Sequence, residues 1–273
     1  MTTPLPKFDA PPVIETVLSA QFARLERFSN AHGGWFWKNY LNKDWVDVQP
    51  APRLEDQFEL FGDEIKWGPP GGGIRIVPGV EPERLQIRRS DEEGMIQVQD
   101  SRFVYNWRKQ NAGYPSYEKV LTEFQDKFAA FERFVKDAEL GALDLNQWEV
   151  TYVNHIDRGG LWDTFSDWTK IFPRFNVPAT EDVGDFNPED FRGEWRLIIG
   201  DNRGRLYISM NRGRAGSEKG AEVIRLQLTA RGPVNIEKNL DLWAGFELGH
   251  AAIVRYFTAM TSPVAHKYWK RRI

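Results

Sequence analysis

The feature that most restricts how this chain folds is an order of elements that occurs twice. In the first half, residues 13–22 (VIETVLSAQF) alternate as a strand, with Ile14, Leu18, Ala20 and Phe22 on one side and Glu15, Ser19 and Gln21 on the other. An aromatic-rich helix is expected at 29–41, followed by strands at 84–89, 94–99 and 102–108. A helix over about 116–137 closes the series. Its Val120, Leu121, Phe124, Phe128 and Phe131 recur at three and four residues, the stripe of a helix laid on a sheet. Ser116, just after Pro115, is placed to cap it.

The second half repeats this order. A strand at 147–157 precedes a helix expected at 161–172, then strands at 193–199, 205–211 and 222–231, and a last helix at about 240–260. The DNRG connection predicts a tight turn. The expected fold class is therefore α+β, a duplicated β-α-β-β-β-α module with antiparallel sheets and helices on one face. Residues 1–140 form an N-terminal lobe and 141–273 a C-terminal pseudo-repeat of it. Joined edge to edge, the lobes leave one long sheet face without helices, an architecture that resembles the saddle of TATA-binding proteins or a helix-grip pseudo-dimer.

Composition removes whole classes of chemistry. Among 273 residues there is no cysteine, which excludes disulfides, thiolate nucleophiles and thiolate metal sites. The net charge of −3 argues against attachment to nucleic acid by overall charge. The opening MTTPLPKFDAPP has no signal-peptide pattern, and no run of apolar residues is long enough for a membrane span. A cytoplasmic protein without membrane contact is expected.

The polar candidates sit mainly on the uncovered face. Along 147–157, Trp148, Val150, Tyr152, Asn154 and Ile156 alternate to the covered side, and Glu149, Thr151, His155 and Asp157 to the open side. Asn154 and His155 thus belong to different sites. Asn154 is expected either to satisfy buried backbone groups at a bulge or to line a pocket between sheet and helix. Arg88, Arg196, Arg225 and Arg231 fall on the open face with a row of glutamines, a cationic strip suited to carboxylate or phosphate. The alternative is that Glu15, Glu149 and Asp157 neutralise it, and Glu15 is expected to pair with Arg88. Arg212, Arg214 and Lys219 in the glycine-rich NRGRAGSEKG offer a second anion site or a solvated loop. The glycine run in WGPPGGGIRI lacks the Lys-Ser/Thr of a phosphate loop. His250, on the apolar stripe of the last helix, reads as a hydrogen-bonded core residue. No HExxH, GxSxG or histidine pair specifies a reaction, and neither metal nor cofactor is expected.

Three stretches, LPKFDAPPVIETVLSAQF, YVNHID and GFELGHAAIVRYFTAMT, carry a resemblance to a sporadically distributed bacterial family of unassigned function, with a Pro-Pro-x-x-Glu start. The matching positions are Pro11, Pro12 and Glu15; Tyr152, Asn154 and Ile156; and His250, Phe257 and Thr261. The resemblance implies a bacterial cytoplasmic protein and no particular activity. The expectation is a non-catalytic binding protein that takes a protein, peptide or nucleic-acid partner on the open face or between the lobes, with a homodimer also considered. The alternative is a small-molecule or nucleotide-processing enzyme with its site around His155 and Asp157.

Overall fold

The structure is a computed structural model that describes residues 4–62, 83–110, 113–174, 189–216 and 220–272. Nine antiparallel strands form one sheet: β1 (Val13–Phe22), β2 (Trp45–Ala51), β3 (Arg84–Arg89), β4 (Gly94–Gln99), β5 (Arg102–Arg108), β6 (Leu145–Asp157), β7 (Arg192–Ile199), β8 (Gly204–Arg214) and β9 (Glu222–Pro233). Their order is β2-β3-β4-β5-β1-β6-β9-β8-β7. From the β1–β6 seam outward the order matches on both sides: β5, β4 and β3 flank β1, and β9, β8 and β7 flank β6. Helices α1 (Asn30–Tyr40), α2 (Tyr117–Asp137) and α4 (Leu242–Met260) cover one face, with α3 (Trp168–Ile171) and α5 (Pro263–Tyr268) as short additions.

The apolar stripe of α2 lies where its spacing predicts. Val120, Phe124, Phe128, Phe131 and Phe134 are buried, and Phe103 of β5 makes edge contacts with Phe124 and Phe128. Ser116 caps the helix, accepting from the Lys119 amide at 3.4 Å. The β7–β8 connection is the tight turn expected of DNRG, with Asp201 and Asn202 both in the left-handed region.

Three expectations change. The helix expected at 161–172 shrinks to a 3-10 turn at Phe165–Asp167 and the single turn of α3, because Trp162 and Trp168 turn inward as separate anchors on the core. Strand β2 was not anticipated; its polar sequence, WVDVQPA, suits an edge strand with mixed exposure. Ile14 does not join the covered side of β1. A bulge shifts the register between Val13↔Asn154 and Glu15↔Val153, so Ile14 turns to the open face with Glu15.

Helix α4 is held by a four-glycine socket around Trp148, which is fully buried. A Cβ on Gly245 would stand 2.3 Å from Trp148 Cδ1, and one on Gly249 would stand 2.8 Å from Cζ3. Gly204 and Gly232 of the sheet clear the other side of the indole, at 2.9 and 2.6 Å. A Gly-to-Ala change in a helix normally gains up to about 1 kcal/mol. Gly245→Ala is expected to reverse that sign and destabilise by about 1–3 kcal/mol through overpacking. Denaturant unfolding measures the difference, and a stabilised variant would show that the socket tolerates a methyl.

Candidate functional site

The helix-free face is not bare. Residues 52–61 form no helix or strand of their own, and glutamine side chains hold them across one end of the strands. Gln99 accepts from the Leu54 amide and donates to the Leu54 carbonyl, both at 3.0 Å. Gln21 does the same for Gln57, at 2.8 and 2.9 Å, and Gln147 accepts from the Glu59 amide at 3.4 Å. These glutamines are 1, 2 and 5% exposed, so they act as a buried edge that pairs with an extended backbone. The strap ends on Glu59. Its carboxylate accepts from Tyr207 at 2.6 Å, lies 3.0 Å from Arg231 Nε, and pairs with Arg205.

This strap redistributes the expected cationic strip. Arg231 belongs to Glu59, with Glu149 at 3.5 Å, and is therefore a structural cation. Arg88 pairs with Asp47 of β2 at 3.3 Å, not with Glu15. The sheet order explains this: β4 and β5 stand between β3 and β1, about 14 Å across at ~4.8 Å per strand. Glu15 instead accepts from Asn106 at 2.8 Å, at the end of an amide relay through Gln97 and Gln86. Arg196 lies over the Tyr207 ring, 5.3 Å from its centre. Arg212 alternates to the opposite side from Asn211, and with Arg158 and Arg214 it surrounds the Glu222 carboxylate. Arg212 and Arg214 thus already hold an anion of this chain, which lowers the Glu222 pKa, with Arg212 as the largest cause. Lys219 and the glycine run 71–73 lie outside the described residues.

Beyond the strap, no described residue crosses the face over β6, β9 and β8. A hollow of about 640 Å³ there is lined by Ile14, Glu15, Val153, His155, Asn211, Arg214 and Arg225, among others. A second, of about 310 Å³, holds Glu149, Arg196, Tyr207, Gln227 and Arg231. His155 sits directly across from Arg225 in the β6–β9 register. Burial lowers the His155 pKa, Arg225 adds to this, and Asp157 partly offsets it. Arg225 is exposed, and no carboxylate pairs with it among the described residues. The structure thus brings together His155, Arg225, Arg214 and Glu15, and places Arg231, Arg196 and Glu149 beside them. Arg88 and Arg212 lie elsewhere.

The covered face holds a different site. A cavity of about 420 Å³ lies between the start of α2, helix α4 and the floor of β1, β6 and β9. His250 stacks on Tyr117 with ring centres 3.7 Å apart, as the hydrogen-bonded residue expected of its position. Its Nδ1 lies 2.8 Å from the Tyr152 hydroxyl, which accepts from Tyr114 at 3.2 Å. Asn154 lines the cavity opposite the bulge and donates to the Leu226 carbonyl at 3.0 Å, so both of its expected roles are filled. Sequence reading missed Glu59, Arg205, Tyr114 and Tyr117. Glu59 lacked any periodic context and Arg205 opened an expected strand without a visible partner, while the tyrosines on either side of Pro115 were a usable signal.

No protein-family model matches this chain, and no curated protein matches it. Among the described residues, no group of three or more His, Asp or Glu is arranged to hold a metal ion, and no helix is long and apolar enough to cross a membrane.

Two measurements test these assignments. Glu59→Ala leaves two largely buried guanidinium groups without their shared carboxylate, and is expected to cost about 3 kcal/mol. Faster proteolysis within 52–61 should accompany that loss; unchanged stability would mean the strap is not held by Glu59. The second is a pH dependence. Burial holds His250 at about 4, below the ordinary 6.5, with Glu118 pulling weakly the other way. Between these values the unfolded chain binds a proton that the folded chain refuses, so stability falls as pH drops through that window and levels off below it. The contribution reaches ~1.4 kcal/mol per pH unit. It should vanish from the slope in His250→Phe when urea unfolding is compared above and inside the window.

Proposed function

We propose that this chain is a non-catalytic binding protein, and that the trough over β6, β9 and β8 takes an extended, acidic peptide segment of a partner protein. The observation that carries this is Arg225, an exposed cation without a carboxylate among the described residues, set beside His155 and Arg214 in the hollow. Arg88, Arg205 and Arg231 on the same face have acidic partners, whereas Arg225 and Arg196, both exposed, have none among the described residues and offer their charge to an outside anion. The strap supplies the reason for choosing a peptide. The same face already holds an extended backbone by side-chain amides and ends it on a glutamate.

The matching strand order about the β1–β6 seam supports reading 1–140 and 141–273 as lobes copied from one β-α-β-β-β-α module, a saddle-like pseudo-dimer. The motif residues Pro11, Pro12 and Glu15 support placing it in the bacterial, cytoplasmic family that it resembles.

The test is fluorescence anisotropy with a labelled acidic peptide of the strap's own sequence, LEDQFEL, against a basic peptide of equal length and a single-stranded oligonucleotide. The acidic peptide is expected to bind and to weaken with salt. Arg225→Gln should weaken it about tenfold, or ~1.4 kcal/mol, with thermal stability unchanged. Equal binding by the variant, or preference for the oligonucleotide, overturns the peptide reading.

A further inference from the structure

The cavity on the covered face has a polar arrangement that its own chain leaves incomplete. Tyr152 receives a hydrogen bond from Tyr114, so its own proton goes to the nearest acceptor, His250 Nδ1. A neutral imidazole that accepts at Nδ1 carries its proton on Nε2. That N–H has no acceptor among the described residues, although His250 lines the cavity. Tyr117, 4% exposed, stacks on the ring, while its hydroxyl is turned to the Glu247 carboxylate, which adds to burial in raising the Tyr117 pKa. A donor at a cavity wall that no acceptor of its own chain meets marks a place for an outside partner.

The rest of the lining fixes what that partner is. Phe8, Val13, Leu228, Ile253 and Phe257 supply an apolar, partly aromatic surround. The charged groups at the rim are already matched: Lys7 with Glu118 at 3.8 Å, and Arg272 with Asp9. A carboxylate or ammonium inside would find no free counter-charge. The volume of about 420 Å³ falls in the ordinary range for small-molecule sites.

We propose that this cavity is a binding site for an uncharged, mainly apolar small molecule bearing a carbonyl-type acceptor, which His250 Nε2–H engages while Tyr117 closes over the ring. It is separate from the peptide trough, which lies on the opposite face of the sheet. Side-chain NMR of the labelled full chain tests it with three probes of one skeleton: acetophenone, ethylbenzene and benzoate. Acetophenone is expected to bind about tenfold tighter than either of the others and to shift the His250 Nε2–H resonance downfield. His250→Phe keeps the ring stack and removes the donor, so it should bind acetophenone and ethylbenzene alike. Arg225→Gln should leave all three affinities unchanged. Equal binding of ketone and hydrocarbon by the native chain, a preference for benzoate, or no shift at His250 overturns the proposal. Should His250→Phe fail to fold, the native resonance decides alone.

Discussion

The close approach of α4 to the sheet depends on Trp148 and the four glycines that make room for it. A tryptophan with its face against two helical glycines brings helix and strand backbones nearer than ordinary side chains permit. That approach decides where His250 goes, because it follows Gly249 directly and lies over Tyr152 of the same strand as Trp148. With a methyl at Gly249, the added carbon would also meet Val150 and Ala230 on the sheet. Lifting α4 would then lengthen the 2.8 Å contact between Tyr152 and His250 and open the cavity wall. Packing and site are one constraint here.

On the other face the organising principle is polar. A strand face without helices has to satisfy its side chains in water or in each other, and this one does both. At one end, glutamines that are nearly fully buried replace solvent with the backbone of the strap, and a glutamate gathers two arginines and a tyrosine. At the other end no described residue lies over the hollow. Coulomb terms between exposed charges are about 1 kcal/mol at ~4 Å in water, so an unpaired Arg225 is tolerable there, whereas an unpaired Arg231 beneath the strap is not. Exposure decides which cation needs a carboxylate of its own chain and which does not.

The parts legible in the sequence follow from period. Alternation placed Trp148 and Asn154 on one side and Glu149, His155 and Asp157 on the other, since a strand admits no other choice. The spacing of Val120, Phe124 and Phe128 fixed the buried side of α2 in the same way. What periodicity does not carry is which strands lie next to each other. Pairing Glu15 with Arg88 assumed a nearness that β4 and β5 prevent. The strap escaped for a related reason. The stretch PRLEDQFEL has no repeat to follow, and Glu59 differs from a surface glutamate only through Gln147, Arg205, Tyr207 and Arg231, all of them distant in the chain.

The bulge in β1 joins the two faces. It inserts one residue at the strand's start, so that Val13 lines the covered cavity while Ile14 and Glu15 both turn to the open hollow. The same irregularity frees the Pro12 carbonyl to accept from the His155 amide at 2.9 Å, and it lies opposite Asn154 in the cavity floor. A regular strand would send Ile14 back to the covered side and shift the residues before it by one step, emptying one site and crowding the other. Bulges re-aim side chains without breaking a sheet, and this one supplies a wall to each hollow from three consecutive residues. The Pro-Pro pair before it, Pro11 and Pro12, fits the same purpose: proline fixes the backbone and donates no hydrogen bond, so Pro12 meets β6 through its carbonyl alone as the chain enters the sheet.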